Sequence, residues 1–596
     1  MKGLRIEFVA FLITAFVFFI VWMDSSNKPT TPEPPTPQPT AFIQETPPTQ
    51  TETPTPTTTP PIVDNIPVEQ PPSGSTVDDL VTYREALIGE VRRLNPLFTA
   101  SNAVDADIVS LIYEGLTRLD QYKNIVPLLA KTWTASQDGY IYVFELRDDV
   151  LWQDGEAFTS DDVIYTLSLL QTDQDGIFSP ELTNFWRTVE IEKIDDYLIR
   201  FRLAQPLSSF PAVLRIGILP EHALRGTNAS QLSTHPFNLS PIGTGAYQLE
   251  TLRLQDGVIR QVDLVTAPNY QQRADVPTGH HIQRVSFQLY DDLNGVIEAL
   301  STGEVDGYAT AERSERPQLE GLRGLAVYQT LTPNIGFLLF NWENEEVPFM
   351  RDERFRIALA YGLDRSSVVT RALYNQAVVA NSPIPLLSWA HSYGQEMLGA
   401  AWIYAPEQAI IELNMLRSRY IADESQETYD FIFSILTVDD PALVAMANDI
   451  AAQWEHIGVQ ATVEAVEQAV YQQRIEAGDF DVAIVEFSKA GNADPDVYGF
   501  WHEGQYPDGL NYGGVDSVFI SEPLEMARRD HNGINRRIHY MNFQRAFINR
   551  AIAIPLYTPL YTYVVKSTVE GIQLGFIGTS ADRFVTLNDW MMEGDE

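Results

Sequence analysis

The sequence predicts an α/β protein of more than one folded unit, set behind a non-globular N-terminal segment. Three observations carry this prediction. At 596 residues the chain is several times the length of an average domain, which suggests roughly two to four domains. Its 44% hydrophobic and 11% aromatic residues can fill large buried cores and exclude global disorder. Helical and strand periods interleave along the chain, with no internal repeat at a solenoid-like period.

The elements follow in order. Lys2 and Arg5 precede an uncharged apolar run over residues 8–23, with Trp22 near its outer end. Sixteen residues of helix span about 24 Å, short of the ~30 Å hydrocarbon core, so both a signal peptide and an anchor are open. No small-x-small cleavage site follows, which favours an uncleaved anchor over residues 1–28 with the bulk of the chain outside the cytoplasm. Residues 29–72 hold 15 of the 37 prolines and 12 threonines, too little apolar surface to offset the entropy of ordering. Residues 29–77 therefore read as a disordered stalk, of which the 44 residues 29–72 reach about 130 Å at most if extended. Further on, Tyr140, Tyr142, Phe144 and Leu146 alternate as a strand, and Asp154-Gly155 makes a turn. Thr159 then caps a helix with Val163, Leu167 and Leu170 on one face. Phe431, Phe433 and Ile435 alternate again, and Asp439 or Asp440 with Pro441 opens a helix striped by Leu443, Met446, Ile450, Trp454 and Ile457. Gly458 ends that helix, Val459, Ala461 and Val463 alternate, and residues 481–487 supply a further strand. In such a β–α–β region ligands bind beyond strand C-termini, which points to residues 437–440 and 488–496.

Charge and composition narrow the function. Lys and Arg total 40 against 80 Asp and Glu, and beyond residue 77 the balance is 37 against 73, a net charge of −36. Such a chain repels phosphate backbones, so no nucleic-acid partner is expected. The absence of cysteine removes disulfides, thiolate metal sites, cysteine nucleophiles and a lipid-modified cysteine anchor.

The run Ala130, Trp133, Asp138-Gly139, Tyr142, Phe144, Leu146-Arg147, Asp149-Val150, Trp152, Asp154-Gly155, Phe158-Thr159 and Asp162-Val163 resembles the signature of the family 5 extracellular solute-binding proteins. These include the peptide and nickel receptors of ABC importers. Four more blocks stand in that family's order: Leu94-Asn95-Pro96-Leu97-Phe98, Tyr113-Glu114-Gly115-Leu116, Pro241-Ile242-Gly243-Thr244-Gly245-Ala246-Tyr247, and residues 349–365 with Arg354, Arg356, Ala358 and Asp364-Arg365. The resemblance spans about residues 78–590, and Ser160, where the family more often has Ala or Thr, is a minor departure. It implies a two-lobed periplasmic-binding-protein type II fold with a hinge, ligand enclosed between the lobes, a membrane permease as partner, and binding without chemistry. Lobe I is expected over residues 78–330 and lobe II over 331–555, with a C-terminal return to lobe I over 556–596. A monomer without a cofactor is expected.

Most signature residues read as structural: the Asp154-Gly155 turn, tight backbone at Gly243 and Gly245, and Trp133 and Trp152 in the core. For the ligand, the resemblance carries over residue by residue. Thr99, just after the Asn-Pro-x-x-Phe block, is the first candidate contact. The position that holds a peptide amine in dipeptide-binding relatives falls on Gly491, four before the proline of Asp494-Pro495-Asp496. The position of their carboxylate-binding arginine falls on Thr437. Both ionic anchors of a dipeptide are thus absent, and burying an unpaired terminus costs several kilocalories per mole. A longer peptide read through its backbone, or a neutral oligosaccharide stacked on Trp501, Tyr498 or Phe487, stays compatible. A single alignment gap brings Lys489 or Asp494 into the anchoring position. The expected site therefore comprises Thr99, Tyr113, Asn341, Thr437, Phe487, Lys489, Gly491, Asp494 and Trp501.

Other chemistry finds little support. No G-x-S-x-G, H-E-x-x-H or P-loop motif occurs, and Gly243-x-Gly245 is followed by Gln248 where a dinucleotide loop needs glycine. Asp173, Asp175 and Gly176 read as a solvated acidic turn, since Gln171 and Leu182 stand at the first and twelfth positions of a calcium loop. His280-His281 has no ligand cluster, so no metal is expected. A membrane-tethered extracytoplasmic hydrolase using a carboxylate pair, and a receptor coupled to signalling, stay open as alternatives.

Overall fold

The computed structural model describes residues 80–120, 124–273, 276, 280–393, 402–421, 429–488, 494–575 and 577–592. The expected anchor (1–28) and stalk (29–77) lie outside the described residues, and among those described no helix is long and apolar enough to cross a membrane.

Local sequence sets the elements. β1 (Thr82–Ile88) is followed by the hairpin β2 (Thr117–Leu119) and β3 (Ile125–Pro127), then by β4 (Ala130–Ala135) and β5 (Ile141–Leu146). Tyr142, Phe144 and Leu146 turn one face of β5 into the core, while Tyr140 stands before the strand and is 39% exposed, one residue outside the expected alternation. Gly155 adopts φ +97° in its turn, which brings Leu151 and Ala157 into a bridge. Thr159 and Asp162 form a reciprocal capping box at the start of the helix Ser160–Gln171, whose Val163, Leu167 and Leu170 are fully buried. Trp152 is fully buried, as expected, and Trp133 is half-buried, stacked on Phe144. Asp173 corrects the acidic-turn expectation: its carboxylate is buried and accepts the backbone N–H groups of Ile177 and Phe178. β6 (Glu190–Asp195) and β7 (Leu198–Arg202) complete a four-stranded antiparallel sheet in the order β4-β5-β7-β6.

The remaining strands build one large mixed sheet. They are β8 (Tyr247–Gln255), β9 (Val258–Thr266), β10 (Arg284–Tyr290), β11 (Gly307–Thr310), β12 (Leu325–Leu331), β13 (Ile335–Phe340), β14 (Ala377–Val379), β15 (Ile432–Val438), β16 (Gln460–Val466), β17 (Val482–Phe487) and β18 (Ile554–Lys566). The order is β16-β15-β17-β13-β18-β11-β1-β10-β9-β8, with β12 and β14 also paired to β18. Asp440 caps the helix Pro441–His456, whose Met446, Ile450 and Trp454 are fully buried. Gly458 follows with φ +83°. β15, that helix and the parallel β16 form the expected β–α–β unit.

Two large cores flank the sheet's centre, and β18 belongs to both. Its Ile554, Leu556 and Tyr557 pack with residues of β13, β15 and β17, whereas Tyr561, Tyr563 and Val565 pack with β1, β5 and β10. Along the same strand the partners change from β13 and β14 to β12 and β11. Gly336 is required opposite Tyr557, because a Cβ there would stand 2.3 Å from the phenol ring. Away from β18 the two halves touch again. Ser208 donates through its N–H to Arg528 O (2.8 Å) and through its hydroxyl to Ala527 O (2.9 Å), and the Tyr142 hydroxyl meets His531 Nδ1 at 3.3 Å.

Candidate functional site

The C-terminal ends of the parallel strands β15 and β17 define a recess. β13 pairs with β17 along all six of its residues, but β15 pairs with it only at Ile435↔Val482 and Leu436↔Ala483. Beyond Ala483 the ladder with β15 stops, and the 485–487 backbone has no β15 partner. Beside it lies a pocket of about 330 Å3. Tyr471 and Ile475 of the helix Gln468–Ala477 form one wall, and Phe500, Leu510, Tyr512 and Tyr557 supply further apolar surface. Tyr471 donates its hydroxyl to Ile484 O at 2.8 Å, which fixes that helix against the strand. Polar groups at the pocket are Gln468, Gln472, Ser488 and the carboxylate of Glu486.

Glu486 is exposed yet oriented, accepting hydrogen bonds from Asn334 Nδ2 (2.9 Å) and from the Tyr557 hydroxyl (3.0 Å). Burial, reinforced by the Glu486 carboxylate, pushes the Tyr557 phenol far up, so it stays protonated and donates. Arg313, in the segment after β11, stands over the Tyr557 ring at 5.9 Å and reaches Asp440 at 4.0 Å. Burial works against its charge, but Tyr557, Glu486 and Asp440 outweigh this and raise its pKa.

The sequence-predicted residues divide. Phe487 lines the pocket and stacks on Phe500 at 4.6 Å with planes 10° apart. Thr437 lies next to the lining residue Val438; it is fully buried, and its hydroxyl has no partner among the described residues. Trp501 is corrected from wall to core: it is 1% exposed, with its ring centroid 4.7 Å from Phe547 and 5.2 Å from Phe337. Tyr498 is occupied similarly, stacked on His502 with Arg528 over its ring. Asp494 is corrected as well, since its carboxylate is buried and holds Arg536 Nη2 through both oxygens (2.8 and 2.9 Å). Asn341 lies at the wrong end of the sheet. It donates to Gly478 O and Phe480 O, and its N–H to Asp481 O, beside the start of β17. The pocket is about 17 Å further along that strand. In the other half, Tyr113 is a core residue, 5% exposed with its hydroxyl 3.5 Å from Leu94 O. Thr99 is half-buried in the 3₁₀ turn Pro96–Ser101, donating to Pro96 O. Lys489 and Gly491 lie outside the described residues.

Sequence reasoning missed Glu486, Tyr471, Tyr512, Phe500 and Tyr557. For Glu486 a signal existed: Val482, Ile484 and Glu486 share one face of β17, so a charge follows two apolar residues where that face reaches the loop.

A profile of the bacterial extracellular solute-binding proteins, family 5 (middle region), matches residues 124–508. The chain belongs to this family. It is 24% identical over 435 residues to the oligopeptide-binding protein AppA of Bacillus subtilis (strain 168), covering 71% of this chain and 76% of that protein. The solved structure of that AppA in complex with a nonapeptide superposes with a TM-score of 0.61 at 20% identity, covering 86% of this chain and 99% of that one. HbpA2 from Haemophilus parasuis superposes with a TM-score of 0.74 at 19% identity, covering 86% of this chain and all of that one. These likenesses define the two-lobed solute-binding fold. Membership in this family makes the protein a solute-binding protein and not an enzyme.

Proposed function

We propose that the protein is the extracytoplasmic receptor of an ABC importer, capturing an oligopeptide-like solute between its lobes and delivering it to the permease. The observation that carries this reading is the 485–487 edge of β17, unpaired with β15, beside an aromatic pocket. An extended peptide can add itself to such an edge through main-chain hydrogen bonds, placing alternate side chains in the adjoining recess. That mode tolerates sequence and needs neither ionic anchor of a dipeptide, consistent with Gly491 and Thr437 at the anchoring positions. In this reading Thr99 faces the ligand from lobe I (78–330 with 556–596), and Phe487 with the neighbouring pocket wall faces it from lobe II (331–555). The lobes hinge where β18 passes between the cores, and differential affinity for the closed form drives closure. Residues 1–28 tether a monomer to the membrane through the 29–77 stalk.

Native mass spectrometry of the full chain, purified without denaturation in mild detergent, tests this. A heterogeneous set of extra masses matching peptides, lost after unfolding and refolding, is expected. A single discrete mass of a neutral sugar overturns the peptide assignment, and turnover of peptides or glycans by the protein overturns the receptor assignment.

A further inference from the structure

The pocket's chemistry is more specific than a sequence-tolerant receptor requires. Its walls are aromatic on several sides, through Tyr471, Phe500, Tyr512 and Tyr557, and among the described lining residues none is basic. Among these described residues the one charge is the Glu486 carboxylate, held in place by Asn334 and Tyr557. These two hydrogen bonds leave the carboxylate exposed, so lone pairs remain for a further donor. Arg313 feels both Glu486 and Asp440, the latter at 4.0 Å, so its single positive charge is shared by two carboxylates. Gln468 and Gln472 at the same pocket offer carboxamide oxygens.

We infer that this pocket selects a cationic amine or guanidinium carried on an apolar stem, with Glu486 as the specificity-determining residue. An alkyl stem fits against the aromatic walls, the cation is attracted by the ring faces, and the carboxylate closes a charge-assisted hydrogen bond. The net charge of −36 beyond residue 77 adds a field that gathers cations. A lysine or arginine side chain and a peptide's terminal ammonium share this chemistry. The inference rests on the peptide-receptor reading and deepens it.

The test is isothermal titration calorimetry of the full chain with pentaalanine peptides that carry one lysine at each position in turn. Each is compared with its norleucine counterpart, and each is made with a free and an acetylated N-terminus. At least one cationic peptide is expected to bind about tenfold or more tighter than its neutral partner. Which pair shows the preference tells side chain from terminus. The ratio is expected to shrink with added salt and to collapse toward one in Glu486→Gln, which keeps the acceptor for Asn334 and offers its NH2 to the Tyr557 hydroxyl oxygen. A wild-type ratio near one, or a preference that survives in a Glu486→Gln protein with an unchanged unfolding midpoint, overturns the inference while leaving the receptor reading intact. Binding of none of these peptides by the wild type overturns both.

Discussion

Arg583 is 1% exposed and joins Glu85 Oε1 (2.8 Å) to Asp107 Oδ2 (2.7 Å), while the hydroxyls of Tyr83 and Tyr563 donate to the other Glu85 oxygen. Five side chains from β1, the helix Ala103–Ile112, β18 and the 3₁₀ segment Ser580–Asp589 thus share one buried charge network. Its geometry makes removal of one partner costly, since two carboxylates would stay buried without their cation. Arg583→Met is expected to lower stability by about 3–5 kcal/mol, measured by urea unfolding. Burial pushes Glu85 up despite the neighbouring guanidinium. The residue scale also explains why the site was only partly legible. An aromatic side chain carries no mark of whether it will be wall or core, and Trp501 and Phe487, 5.3 Å apart, fell on opposite sides of that line. Asp494 looked available as an anchor, but Arg536, forty-two positions away, claims it.

The helix Pro441–His456 and its two strands follow directly from their periods, since cap, stripe and terminating glycine are all local signals. Asp440 accepts the N–H groups of Ala442 and Leu443, and Leu443 also lines the pocket. Asp440→Ala is therefore expected to cost about 1 kcal/mol in urea unfolding and to weaken ligand binding through the shifted wall. What local signals do not give is sheet order. The helix Gln468–Ala477 joins β16 to β17 across β15, and only that crossing brings Tyr471 over the pocket. Asn341 was misplaced for a related reason: β13 runs antiparallel to β17, so its C-terminal end meets the start of β17.

Across the molecule, the halves meet at His531. Burial and the Arg536 guanidinium lower its pKa, and Asp530 and Asp138 only partly oppose this. A base with a depressed folded-state pKa contributes stability that is present above its ordinary value near 6.5 and lost as pH falls through the folded value. Protonation would also place a second cation beside Arg536 at the Tyr142 contact. The wild-type unfolding temperature is thus expected to fall more than that of His531→Gln between pH 7.5 and pH 5.5, in paired thermal scans. Equal slopes would remove His531 from this account. The two-lobed plan was legible because its five sequence blocks are spread along the chain. The pocket was not, because its walls come from β15, β17 and β18, the helices 441–456 and 468–477, the helical turn 498–501 and residues 510 and 512.

β18 carries one more consequence, for the order of assembly. It leaves the ribosome after every one of the strands it joins, yet it supplies central residues to both cores. Until it arrives, β13 and β11 lack the neighbour that lies between them, and neither half has its complete interior. Both cores are therefore complete only once this late segment has taken its place between β13 and β11.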